Sequence, residues 1–272
     1  MVKLDLLIID PQNDFCKAET KDWNPALYVD GAEEDCARLA AMIDRLSDKI
    51  TGIHTTLDTH HLIHIAHPIM WVNSVGEHPG FYTEITDADV DKGIWRASYP
   101  LFQQRQVKYV HDLKANGRYT LTIWPPHCLI GTPGHNVIKS VADALARWEA
   151  KFRFVDYVTK GSNVWTEHYS AIQADVPDTT DAGTMLDLRD GGLIRTLQKA
   201  DVIPLAGQAL SHCLANTVRD IANNFGEENI KKFVLLEDAT SPVGPYKKLA
   251  DDFVKEMVGR GMKIDKTTTF FK

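Results

Sequence analysis

Cys213 stands in "GQALSHCLANTVRD" (207–220), directly after the apolar run "ADVIPLAG" and ahead of Leu214, Val218, Ile221, Ala222 and Phe225, which recur at helical spacing. A thiol in the first turn of a helix meets backbone N–H groups and the positive end of the helix dipole, and both favour the nucleophilic thiolate. A free cysteine is more often a small buried hydrophobe, so the thiol alone decides little. Two further residues sharpen the reading, because Asp10 closes the run "LDLLIID" and Lys160 closes "FRFVDYVTK". Taken singly, Asp10 before Pro11 reads as a turn or cap residue and Lys160 before Gly161 as a solvated strand end. Together with Cys213 they supply an acid to move a proton, a cation to hold a thiolate, and the thiol itself. That combination can activate a cysteine nucleophile, and three such groups at strand ends outweigh three separate coincidences. Such a thiol is expected to label with iodoacetamide well below pH 8.5, the ordinary thiol range of about 8–9.

A second constellation lies in "LDTHH" (57–61). Residues two apart in an extended chain share a face, so Asp58 and His60 project together and could hold one cation. A third ligand must come from elsewhere, and "IWPPHCLIGTPG" (123–134) presents His127 on a backbone stiffened by two prolines. With eleven histidines in the chain, a chance D-x-H is unsurprising. His61, His64 and His67 read as further ligands, pocket residues or surface, with His64 the most credible because it follows His60 by four. Glu167, seven residues after Lys160, is a weaker candidate for an outer-shell partner.

The elements that would position these groups alternate along the chain. Strands are expected at 4–10, 50–58, 152–160, 200–207 and 231–238, with helices over 32–47 and from Ser211. Alternation of this kind implies right-handed crossovers and a parallel sheet covered on both faces, hence a three-layer α/β sandwich. In such sheets ligands bind beyond the carboxyl ends of the strands, which is where Asp10, Asp58, Lys160 and Cys213 fall. Two long stretches, about 65–119 and 175–192, lack a clean period. They are read as insertions into a single domain spanning residues 1–272, serving as lids, binding loops or interface elements. We expect the first, tethered at the rim of the site by both ends, to contact the pocket.

Composition narrows the function classes. The chain of 272 residues is 44% hydrophobic and 25% charged with a net charge of −7. That balance argues for a globular protein and against nucleic-acid or polybasic membrane partners. No apolar run approaches the roughly 20 residues of a membrane span, and "MVKLDLLIIDPQ" reads as a first strand rather than a signal peptide. The four cysteines show no CxxC pairing, which suits a reduced, cytoplasmic setting.

The motifs "LLIIDPQNDFC", "DTHHLIH", "WPPHCLIGTPG", "TKGSNVWTEHYSA" and "GQALSHC" together resemble, in order and spacing, the nicotinamidase branch of the isochorismatase-like cysteine hydrolases. The resemblance implies a six-stranded parallel sheet in a Rossmann-like sandwich, and a catalytic triad on Asp10, Lys160 and Cys213. It implies metal ligands on Asp58, His60 and His127, with Zn²⁺ favoured by the donor set and Mn²⁺ or Fe²⁺ as alternatives. It further implies a cis peptide between Gln208 and Ala209, an oxyanion hole on the N–H groups of Ala209 and Cys213, and pocket aromatics on Phe15 and Trp124. The implied reaction is hydrolysis of nicotinamide or a similar small amide through a cysteine thioester. The partner is then a small-molecule amide, and a homo-oligomer is compatible with the segment lengths. The chain departs from the family where "GQALSHCL" replaces a pattern close to G-L-A-T-D-Y-C-V, and in its two longer segments. Alternatives are the same chemistry on another amide or ureide, a non-catalytic ligand-binding relative, and an isochorismatase-type reaction on a vinyl ether; the metal set speaks against the last.

Overall fold

The near-continuous apolar run of Leu4–Ile9 forms β1, and its buried Leu6, Leu7, Ile8 and Ile9 show why: a strand covered on both faces has no solvent side to alternate with. A computed structural model describes residues 2–178, 180–187 and 192–272. The other sheet strands are β2 (Ile50–Asp58), β3 (Asp156–Lys160), β4 (Ile203–Gly207), β5 (Phe233–Leu236) and β6 (Lys263–Asp265). They lie in the order β3-β2-β1-β4-β5-β6, and every pairing is parallel. The chain therefore builds outward from β1 in one direction, crosses back, and builds outward in the other. The reversal leaves a crevice beyond the carboxyl ends of β1 and β4, the place where ligands bind in open α/β sheets.

Five longer helices accompany the sheet: α1 (Ala32–Arg45), α2 (Gln103–Ala115), α3 (Lys139–Glu149), α4 (Cys213–Phe225) and α5 (Lys247–Gly259). On α1 the residues Cys36, Leu39, Met42 and Ile43 form one buried stripe, which packs against Val141, Leu145 and Trp148 of α3. Helix α4 packs with α5 and with the short helix Leu193–Gln198. The result is the three-layer α/β sandwich that the alternation of elements implies.

Three details differ from the sequence expectation. The third strand begins at Asp156 rather than 152; Phe152 adopts a positive φ of 60° and is 99% exposed, and Phe154 is 89% exposed. Aromatic content had made a solvated turn look like a strand. Strand β6 is only three residues long and mostly exposed, so it carries no periodic signal. Helices α2, α3 and α5 were not anticipated; α2, "QQRQVKYVHDLKA", is largely polar and turns only Gln106, Tyr109, Val110 and Leu113 inward, whereas α3 carries a buried stripe of Val141, Ala144, Leu145 and Trp148 at helical spacing.

The first long segment is ordered by its own small elements. Trp71–Val72 pairs with Arg96–Ala97, and Glu84–Ile85 pairs with Leu121–Thr122, both antiparallel. The helix Asp87–Asp91 starts on a reciprocal cap between Thr86 and Asp89. Trp71 is fully buried and donates its indole N–H to the Ile65 carbonyl at 2.7 Å. The segment is then joined to the second one and to α4. The Glu167 N–H donates to the Tyr109 hydroxyl at 2.9 Å, and Arg118 reaches Asp220 of α4 at 3.2 Å and Asp175 at 3.9 Å. In the second segment, residues 179 and 188–191 lie outside the described residues.

Asp175 is buried, and burial pushes its carboxyl up to about 8, with the Arg118 guanidinium opposing. The unfolded chain ionises this group near the ordinary carboxylate pKa of about 4, while the folded protein keeps it protonated. Between about pH 4 and pH 8, unfolding therefore releases a proton, and stability falls as pH rises, by about 1.4 kcal/mol per pH unit. Asp175→Asn lacks that liability. Its melting temperature should match the wild type near pH 4 and exceed it progressively up to pH 8. Parallel curves would show that Asp175 is ionised in the folded protein.

Candidate active site

Each strand end delivers one chemical group to the crevice. Asp10 follows β1 with a φ of 42°, a left-handed backbone that costs a non-glycine residue on the order of 1 kcal/mol and clusters at functional sites. Its N–H donates to the Thr56 hydroxyl oxygen at 3.1 Å, and that hydroxyl donates to Asp10 Oδ1 at 2.5 Å. Thr56 and Asp58 lie two apart on β2, so both face Asp10. Lys160 ends β3 as the register partner of Asp58. Two glycines permit the close approach. At Gly161 (φ 86°) a Cβ would sit 2.7 Å from Asp58 Oδ1, and at Gly207 (φ 103°) it would sit 2.0 Å from the Ile9 carbonyl oxygen. The peptide bond between Gln208 and Ala209 is cis. Cys213 opens α4 immediately beyond it.

Lys160 is the hub. Its Nζ lies 2.9 Å from Asp10 Oδ2, 3.1 Å from Asp58 Oδ1 and 3.4 Å from Cys213 Sγ, and it donates to the His168 carbonyl at 3.1 Å. Burial works against the charged amine, but the Asp10 and Asp58 carboxylates overcome it and hold Lys160 well above the ordinary lysine value. Burial also raises the Asp10 carboxyl; Asp58 adds to the rise, and Lys160 and Thr56 oppose it. A raised carboxyl is a better proton acceptor than an exposed one. For Cys213 the outcome departs from the sequence expectation of a pre-formed thiolate. Burial pushes the thiol well up, and Lys160 only counteracts it. The resting group is the thiol, beside a carboxylate able to take its proton.

Asp58, His60 and His127 form a buried group whose ligand atoms all lie within 4.8 Å of one another. Asp58 Oδ2 stands 3.0 Å from His60 Nε2 and 3.3 Å from His127 Nε2. The other nitrogen of each ring is already committed: His60 Nδ1 bonds the Gly161 carbonyl at 3.1 Å and His127 Nδ1 bonds the Pro125 carbonyl at 2.8 Å. A carbonyl accepts only, so both rings carry a proton on Nδ1 and present Nε2 towards Asp58, the nitrogen left to ligate a metal ion, as in metal-ligating histidines. Burial would raise Asp58, but the charges of His60 and Lys160 hold it well below the usual range, leaving it an anion. One carboxylate and two imidazole lone pairs suit a divalent metal ion. His64 and His67 are buried with their rings 4.4 and 5.5 Å from that of His60, and the Nε2 atom of each has no hydrogen-bond partner. His61 is exposed.

A cavity of about 30 Å³ opens between these two groups, bordered by Phe15, Trp124, Ala209, Cys213, Asp58 and His127. Phe15 packs its ring 5.2 Å from that of His127. Neither the Ala209 nor the Cys213 backbone N–H donates to another group among the described residues. Glu167 also lines the cavity; burial raises its carboxyl, with the His60 charge opposing. A larger cleft of about 440 Å³ between Arg105, Trp165 and Asp181 holds neither thiol nor histidine.

Several contributors escaped the sequence reading. Gln12 ties β1 to β2 through its side-chain amide, donating to the Asp58 carbonyl at 2.7 Å and accepting from the Asp58 N–H at 2.7 Å. Asp14 accepts the Cys128 N–H at 2.7 Å and so fixes the loop carrying His127. Tyr169 and His212 wall the cavity. Thr56 could have been found by the same two-residue spacing that linked Asp58 to His60; the amide of Gln12 carries no such signal.

Among solved structures, the chain is similar to the yeast nicotinamidase Pnc1p, at 17% identity over 96% of this chain and 98% of that one, with a TM-score of 0.63. It is similar to the pyrazinamidase of Pyrococcus horikoshii, solved in complex with zinc, at 18% identity over 97% and 99% with a TM-score of 0.56. PnC1 from L. infantum, solved in complex with nicotinate, is 19% identical over 98% and 94% with a TM-score of 0.56. The fold is that of the nicotinamidase and pyrazinamidase structures. No protein-family model and no curated protein matches the sequence.

If Asp58, His60 and His127 hold a metal, His60→Ala and His127→Ala should each weaken Zn²⁺ binding by at least about tenfold, measured by competition with a chromogenic chelator. Stoichiometric, tight metal in the double variant would place the ligands elsewhere.

Proposed function

We infer that this protein is a nicotinamidase-like amidohydrolase, releasing ammonia from nicotinamide or a similar small amide through a cysteine thioester. One observation carries the reading: a buried Lys160 Nζ lies 2.9 Å from the Asp10 carboxylate and 3.4 Å from the Cys213 thiol. A ligand-binding module has no use for a buried acid–ammonium–thiol cluster. The likeness to nicotinamidase structures, one bound to the inhibitor nicotinaldehyde, supports the substrate class.

In the proposed sequence Asp10 accepts the Cys213 proton while the thiolate forms against Lys160. The sulfur attacks the amide carbon, and the developing oxyanion is met by the Ala209 and Cys213 N–H groups, each such donor contributing about 3 kcal/mol. Asp10 passes its proton to the amide nitrogen, the C–N bond breaks and ammonia leaves. Asp10 then takes a proton from water, whose oxygen adds to the thioester carbon. Collapse releases the acid, and the departing thiolate regains its proton from Asp10. Asp58, His60 and His127 would hold the divalent ion, Zn²⁺ suiting the donor set best, which when bound orients the substrate's ring nitrogen. Phe15 and Trp124 flank the ring. The four cysteines are unpaired, in keeping with a reducing, cytoplasmic setting.

An ammonia-release screen over nicotinamide, pyrazinamide and small ureides tests the reading, since a preference for a ureide would leave the chemistry and move the substrate. Cys213→Ala, Cys213→Ser and Asp10→Asn should each lower kcat by about a thousandfold or more. The two Cys213 variants should do so with little change in melting temperature, whereas Asp10→Asn should also melt lower because it strips a carboxylate from the buried Lys160. A serine variant retaining a tenth of the activity would remove thiol catalysis.

A further inference from the structure

His212, the residue before the nucleophile, sits between two cavities. On one side it borders the 30 Å³ cavity with Trp124, Tyr169 and Cys213. On the other it borders a cleft of about 410 Å³, with Tyr119, Tyr246 and Lys248. Only 4% of its surface is exposed. Four rings enclose it, with centroids 5.5 Å away for Tyr119, 5.2 Å for Trp124, 5.1 Å for Tyr169 and 4.9 Å for Tyr246. The imidazole is also pinned: the Val243 N–H donates to Ser211 Oγ at 3.1 Å, and Ser211 Oγ lies 2.8 Å from His212 Nδ1. With Ser211 fully buried, the arrangement that satisfies its hydroxyl proton is donation to Nδ1, which fixes the ring's orientation. Burial lowers His212 to about 3, so the ring is a neutral, wall-like group.

We propose that His212 is the specificity-determining wall of the site: its fixed imidazole closes the catalytic cavity off from the outer cleft and so restricts the reaction to planar, single-ring carboxamides. Removing the ring would merge the inner cavity with the outer cleft and admit amides bearing a second ring or a long substituent. The inference deepens the amide-hydrolysis reading and rests on it for the attacking atom, but its test does not require that nicotinamide be the substrate.

The test compares alkylation of Cys213 by iodoacetamide and by the bulkier N-phenyl iodoacetamide, followed by peptide mass spectrometry, with Cys213→Ala protein as the control for Cys16, Cys36 and Cys128. Rates are normalised to those of glutathione. The wild type should favour the small reagent by at least about tenfold. His212→Ala should bring the ratio to within about threefold of the glutathione value, and His212→Phe, which keeps a ring in place, should retain the wild-type preference. A wild type without size preference would overturn the proposal even if no variant folds, as would a His212→Ala ratio equal to the wild type's. In parallel, ammonia release from nicotinamide and from 6-phenylnicotinamide should shift towards the larger amide in His212→Ala. Failure of every protein to hydrolyse either amide would sink the amide reading while the alkylation ratio still decides the wall.

Discussion

Everything at the site depends on a lysine ammonium held out of water. Lys160 Nζ sits among Asp10, Asp58 and Cys213 with no exposure of its side chain. Removing a charge of that size from water costs several kcal/mol even after relaxation. The cost is tolerable only because two carboxylates lie within 3.1 Å. The same arrangement couples the two chemical centres. Asp10 belongs to the thiol and Asp58 to the histidines, and one cation bridges them. A group that moved away from the lysine would leave an unpaired buried charge, so attraction and desolvation together keep the thiol, the acid and the ligand group in register.

The sheet topology makes that density of charge achievable. Because β1 and β4 are neighbours with their helical connections leaving in opposite directions, the chain opens at their carboxyl ends without breaking any ladder hydrogen bond. The start of α4 borders that opening, with Ala209 and Cys213 both lining the cavity. Gly161 and Gly207 then let side chains and backbone approach more closely than any Cβ would allow. The long segment at about 65–119 packs behind the pocket: Tyr82 sets its ring 5.7 Å from Trp124, and the Tyr119 hydroxyl donates to the Ser211 carbonyl at 3.2 Å. Its contact with the site is thus made through the pocket wall rather than through the reacting atoms.

The sequence by itself determined the class of fold and the chemistry at the strand ends. Apolar runs of five to nine residues alternating with helical stripes admit few arrangements, and a polar residue closing such a run must stand at the sheet's carboxyl edge. Asp10, Asp58, Lys160 and Cys213 were legible for that reason. The two-residue period placed His60 beside Asp58. Short or polar elements such as β6 and α2 were not legible, since their positions come from contacts with distant residues and leave no period to read.

Only the tertiary structure decided which of these groups meet and in what state. Strand order is invisible in a linear chain, so nothing in it says that β3 lies next to β2 and brings Lys160 level with Asp58. The thiol's environment likewise belongs to the tertiary structure: a nearby lysine favours the thiolate, but burial, a property of the whole fold, acts more strongly in the other direction. The tautomers of His60 and His127 are set by carbonyls of Gly161 and Pro125, and the wall role of His212 by four rings drawn from three separate parts of the chain. Local spacing determines which side chains share an element's face, whereas desolvation and long-range contact determine what those side chains become.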